Sequence, residues 1–154
     1  MADLLKGVLL KKKDGSCSEA EEVLKDKVVA LYFSAHWCPP CRYFTPVLKS
    51  FYNELLSSEK FEVVFVSSDR TEEDQKKYME ECHGDWYCIP HGSPKCKELL
   101  DKYSVTGIPE LIIIKADGTE ISRNPSIDPE DVDEEGEKIQ VKSPSEFLSD
   151  WIAA

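Results

Sequence analysis

Long apolar stretches are absent from this chain of 154 residues. None approaches the roughly 18 consecutive apolar residues of a membrane-spanning helix, so no membrane role is expected. Basic charge is scarce as well. Nineteen Lys and Arg stand against 30 Asp and Glu, for a net charge of −11. Non-specific nucleic-acid binding needs a basic face that displaces counterions from phosphates, so nucleic acid is not an expected partner. Nor does the amino terminus resemble a targeting segment. Residues 1–10 have an apolar flavour, but Asp3 and Lys6 interrupt it and Lys11, Lys12 and Lys13 follow it. A secretory signal sets its basic residues before an apolar run of roughly 7–15 residues. A cytosolic or nuclear location is the expectation. Internal repeats and a second domain are also lacking, which makes residues 1–154 one domain.

What the chain does contain is enough apolar material, 41% of its residues, for one core that needs no staples. Its six cysteines (Cys17, Cys38, Cys41, Cys82, Cys88 and Cys96) are therefore read as thiols of a reducing compartment, with any disulfide transient and catalytic. The run 28–34 is continuously apolar and predicts a central strand covered on both faces. From Pro39 to about residue 57, Phe44, Val47, Leu48, Phe51 and Leu55 recur at steps of three and four and predict an amphipathic helix. Residues 61–68 repeat the buried-strand signature. Thr71 is placed to cap a helix running towards Cys82, with acidic residues in its first turn. Residues 84–94 read as loop with a short extended piece at 86–89. A further helix starts at Ser93 and Pro94 and ends near Tyr103. Residues 111–115 and 119–123 predict strands joined through Asp117-Gly118. Residues 125–138 are acidic with few apolar side chains, so a mobile solvated loop is expected. A last helix should dock through Phe147, Leu148, Trp151 and Ile152. The order gives an α/β fold, a mixed sheet with helices on both faces.

The chemistry concentrates at Trp37-Cys38-Pro39-Pro40-Cys41, where a buried strand gives way to a helix. Unpaired N–H groups and a partial positive charge at a helix amino terminus stabilise a thiolate, the nucleophile of disulfide exchange. Cys41 lies just under one turn beyond Cys38 and can attack a mixed disulfide formed there. Pro39 and Pro40 fill first-turn positions whose N–H groups would find no intrahelical partner, and they stiffen the turn. Two other readings stay open on the residues alone. The pair could be half of a zinc site, completed from Cys82, His83, Cys88, His91 or Cys96, although none of these forms a second tight pair. Or the two cysteines could simply pack.

The segment Phe33-Ser34-Ala35-His36-Trp37-Cys38-Pro39-Pro40-Cys41-Arg42 resembles the active site of the thioredoxin superfamily, in its tryparedoxin and nucleoredoxin branch. The likeness extends to Pro46 inside the helix, to Trp86 with Pro90, and to Val105-Thr106-Gly107-Ile108-Pro109. It spans roughly residues 27–123. It implies a thioredoxin fold and a dithiol in which Cys38 attacks and Cys41 resolves, supported by Trp37, Pro39 and Pro40. It further implies a cis Ile108-Pro109 bond beside Cys38, substrate contacts from Ile108, Pro109 and Trp86, and no metal or cofactor. The partners implied are protein disulfides as substrates, and a reductase or low-molecular-weight thiol as electron donor, with the chain acting as a monomer.

Two positions depart from the family pattern. Where relatives keep a buried acid, six residues before the first cysteine, this chain has Tyr32. A phenol with a pKa near 10 is a poor base, so another group or a water must serve. Glu110 follows Pro109 and brings a carboxylate towards the redox site. His36 is read as exposed, Cys17 as lying in an exposed turn, and Cys82, Cys88 and Cys96 as packing residues. The functional alternative to a disulfide reductase is a redox-sensitive binding or signalling protein of nucleoredoxin type, with little turnover.

Overall fold

The apolar run at 28–34 forms a strand whose seven residues are all buried. Its uniformity follows from its place in the fold. The computed structural model describes residues 4–154; residues 1–3 of the amino-terminal stretch read above lie outside the described residues. In chain order the elements are β1 (Leu9–Lys11), β2 (Cys17–Glu19), α1 (Ala20–Val23), β3 (Val28–Ser34), α2 (Pro39–Glu54), β4 (Phe61–Ser67), α3 (Glu72–Cys82), β5 (Tyr87–Cys88), α4 (Pro94–Lys102), β6 (Glu110–Ile114), β7 (Glu120–Arg123) and α5 (Pro144–Ala153). The strands make one sheet in the order β2-β1-β5-β4-β3-β6-β7. β3, β4 and β5 run parallel, and β6 and β7 antiparallel to their neighbours.

Alternate residues of the central strands feed two cores. Ala30, Tyr32, Val63, Phe65, Leu111 and Ile113 pack with Leu48, Phe51, Tyr78, Leu148 and Trp151 from α2, α3 and α5. Val29, Leu31, Phe33, Val64, Ile112 and Ile114 pack with Ala20, Leu24, Leu99 and Tyr103 from the opposite side. Burying both faces removes the polar alternation that a half-wet strand would show.

Local chemistry sets the boundaries. Thr71 Oγ1 accepts the Asp74 N–H at 3.0 Å and caps α3 as expected. Ser93 and Ser143 cap α4 and α5, each followed by proline. At the β6–β7 turn Gly118 has φ +91°, a conformation that glycine adopts without a Cβ penalty.

Two expectations need correction, those for Cys17 and Ile152, and two regions show features that the sequence did not signal. The hairpin of β1 and β2 and the short helix α1 give no readable periodicity, since the strands have three residues each. Cys17 therefore lies in an edge strand and not in a turn, although it is exposed. Ile152 faces solvent, and α5 docks through Leu148 and Trp151, with Phe147 partly buried against the same core. The acidic segment has an anchor, because Ile127 is buried in the α2-side core. It also folds on itself: Val132 bridges to Lys138, and the Asp133 carboxylate accepts the N–H groups of Glu135 and Glu137.

Candidate active site

The Cys38 loop leaves the carboxyl end of β3 and is tied down from β4. The Ser68 N–H donates to the Ser34 carbonyl at 2.9 Å. Trp37 Nε1 donates to the Ser68 carbonyl at 3.1 Å, and its indole is 57% exposed above the loop. Asp69, itself buried, accepts the His36 N–H at 2.7 Å and the Ser67 hydroxyl at 2.7 Å. These contacts fix where α2 starts.

Cys38 is the N-cap of α2, with Pro39 and Pro40 in the first turn. Its sulfur accepts the Cys41 N–H at 3.4 Å and lies 3.9 Å from the Ile108 carbonyl oxygen. A sulfur in this position meets the unpaired N–H groups that a helix amino terminus offers an anion. Cys41 has no exposed surface, against 5% for Cys38. Burial pushes the Cys41 thiol up to about 11, the hydrogen bond with Cys38 adds to that, and the Ser34 hydroxyl pulls it back down. The Ile108-Pro109 bond is cis. Pro109 borders a surface cleft with Phe44, Leu111, Asn124, Ile127 and Asp128.

Behind Cys41 is a buried hydroxyl cluster. Ser34 Oγ lies 2.7 Å from Tyr78 Oη, which lies 2.6 Å from Thr45 Oγ1, which lies 2.8 Å from Tyr32 Oη. Thr45 Oγ1 and Tyr32 Oη also lie 2.8 and 3.2 Å from the Cys41 carbonyl oxygen, which accepts from whichever of the two is not donating to the other. Burial raises the Tyr32 phenol further above its ordinary value, so Tyr32 is no base.

A model of the thioredoxin-like family matches residues 26–120. The chain belongs to that family. Nucleoredoxin of Xenopus laevis is 40% identical over 113 residues, covering 72% of this chain and 27% of its own length. Tryparedoxin of Trypanosoma brucei brucei is 44% identical over 95 residues, 61% of this chain and 65% of that protein. A crystal structure of thioredoxin from Wuchereria bancrofti superposes with a TM-score of 0.77 at 50% identity, covering 99% of each chain. The expected thioredoxin fold is thus the observed one. The chain spans about a quarter of the length of the nucleoredoxin it matches.

Within this thioredoxin-like frame, Trp37, Cys38, Pro39, Pro40, Cys41, Ile108 and Pro109 come together. Trp86 does not join them. It is fully buried, its Nε1 donates to His83 Nδ1 at 2.9 Å, and its ring meets Tyr52 edge-on. Its expected substrate contact is corrected to a core role, because a large apolar ring gains more from burial than from a wet groove. Glu110 is turned along the sheet, where its carboxylate accepts Asn124 Nδ2 at 2.5 Å. His36 is part-buried, with Nε2 3.0 Å from Glu81 and its ring against Tyr78.

All six cysteines are free. Cys88 is buried, which pushes its thiol up to about 11; Cys82 and Cys96 are half-buried and also raised by burial. Among the described residues no three His, Cys, Asp or Glu side chains gather as metal ligands. Sequence reasoning missed Ser34, Thr45 and Tyr78 as neighbours of Cys41. Thr45 could have been found one turn beyond Cys41 on the same helix. Tyr78 gave no signal, being 37 positions away on another element.

Proposed function

We propose that this chain is a thiol–disulfide oxidoreductase that reduces protein disulfides through Cys38 and Cys41. The observation that carries this is the seat of Cys38 at the α2 N-cap, its sulfur accepting the Cys41 N–H, with Cys41 buried directly behind it. Family membership supports the same reading. The Cys38 thiolate attacks one sulfur of the substrate disulfide, and the other sulfur departs as a thiolate. Cys41 then attacks Cys38, forms the intramolecular disulfide and releases the second substrate thiol. Two electrons pass to the substrate, and a reductase or low-molecular-weight thiol returns them. No metal or cofactor enters the cycle. Trp37 shields the sulfurs from above. Main-chain groups of Ile108 beside Pro109 hold an extended substrate segment. The chain works as a monomer in a reducing compartment, the cytosol or nucleus.

Insulin reduction driven by dithiothreitol tests this. Turbidity should appear faster than with dithiothreitol alone, and the Cys38→Ser protein should lose the gain. Wild-type protein that gives no acceleration would instead favour a redox-sensitive binding protein.

A further inference from the structure

Cys41 must shed its proton in a pocket with no exposed surface. Among the described residues no carboxylate faces it. Around it are Cys38 on its own helix, the hydroxyls of Tyr32 and Ser34 from β3, Thr45 one turn along α2, and Tyr78 from α3. His83, behind Tyr32 and Tyr78, is held neutral by burial. The His36–Glu81 pair lies beyond the Tyr78 ring. The four hydroxyls form an unbroken chain, and in each of its three links either oxygen can donate. Two of them, Thr45 and Tyr32, reach the same acceptor, the Cys41 carbonyl. Such a carbonyl can exchange one hydroxyl donor for the other.

We propose that this chain is a reversible set of donors that turns towards Cys41 when it becomes a thiolate, with Ser34 touching the sulfur and Tyr78 as the positioning residue. The inference rests on the resolving role given to Cys41 above. In the thiol state Cys41 donates to Ser34, Ser34 to Tyr78, Tyr78 to Thr45, and Thr45 to the Cys41 carbonyl. In the thiolate state each link reverses: Thr45 donates to Tyr78, Tyr78 to Ser34, and Ser34 to the sulfur. Tyr32, which donates to Thr45 in the thiol state, turns its proton to the carbonyl in the thiolate state and keeps it satisfied. No buried polar group is orphaned in either state, and no buried charge is needed to stabilise the anion, which a fixed carboxylate would repel. During resolution the S–S bond between Cys41 and Cys38 forms as the bond from Cys38 to substrate breaks. The proton that Cys41 gives up leaves to water, from which a basic departing thiolate recovers one.

Stopped-flow reaction of the reduced protein with one equivalent of dithionitrobenzoate separates the steps. Attack by Cys38 releases the first nitrothiolate and resolution by Cys41 the second. A Cys17→Ser background removes the exposed thiol on β2. A hydrogen bond to an anion is worth about a unit of pKa or more. The second phase at pH 7 should therefore slow about tenfold in Ser34→Ala and several-fold in Tyr78→Phe and Thr45→Val, with Thr45→Ser restoring it. The first phase should change less than about twofold. An unchanged second phase in both Ser34→Ala and Tyr78→Phe overturns the proposal. Equal slowing of both phases marks a structural role and overturns it too. Absence of a first phase in wild type would strike the oxidoreductase reading itself.

Discussion

Trp86 donates its indole N–H to Nδ1 of His83 inside the core, at 2.9 Å. The bond fixes His83 as the neutral tautomer with its proton on Nε2, a nitrogen that is buried without a hydrogen-bond partner. The aromatic rings of Phe65 and Tyr78 flank the imidazole, with ring centroids 4.4 and 4.3 Å from its own. Burial, with a smaller contribution from Lys13, lowers its pKa from 6.5 to about 3. Protonation is far easier in the unfolded chain. Below pH 6.5 the unfolded state therefore binds the extra proton, and stability falls as pH drops towards 3, by up to about 1.4 kcal/mol per unit from this group. Urea unfolding at pH 7 and pH 5 should show the loss, and His83→Gln should flatten it. An equal slope in that variant would assign the acid sensitivity to other groups.

Gly84 lies against the same indole. A Cβ there would sit 2.8 Å from two Trp86 ring carbons, and a buried ring has little room to give. Gly84→Ala should cost about 1–3 kcal/mol in urea denaturation and leave Cys38 alkylation kinetics unchanged. Altered alkylation would mean that Trp86 communicates with the active site after all.

The two cysteines should separate cleanly in trapping experiments. Cys41→Ser retains the N-cap seat of Cys38 but cannot resolve, so a covalent mixed disulfide with substrate should accumulate on non-reducing gels. Cys38→Ser leaves the deeper, unexposed thiol and should form none. Loss of Cys82, Cys88 or Cys96 should leave turnover intact. Adducts from Cys38→Ser and none from Cys41→Ser would reverse the assigned roles.

Ile127 is the buried apolar anchor of the acidic segment. Its truncation to Ala should cost about 2–4 kcal/mol. In hydrogen exchange, the seven carboxylates between residues 128 and 137 should keep the amides of this stretch faster than those of α2. Protection equal to that of α2 would show that the Asp133-capped turn outweighs charge repulsion.

Much of this was legible beforehand, because the strongest signals in the chain are also its deepest structural constraints. β3 and β4 read as buried strands since both faces are covered, and Thr71, Ser93 and Pro94 marked helix starts through chemistry local to each. The dithiol was visible for the same reason: strand, proline pair and helix are contiguous. What stayed hidden depends on contacts between distant residues. Nothing around Tyr78 states that its hydroxyl reaches Ser34 across 44 positions. The resemblance implied a groove position for Trp86, whereas it stands just before β5, which pairs with β4, and its indole is buried in the core. β1 and β2 were too short to show a period.

The three tryptophans differ in one practical respect. Trp86 and Trp151 are buried, whereas Trp37, the residue before Cys38, has over half its surface in water. Joining or parting the neighbouring thiols should alter the surroundings of that indole, against a constant background from the other two. Its emission should then serve as a built-in optical gauge of oxidation state, readable in real time without a label.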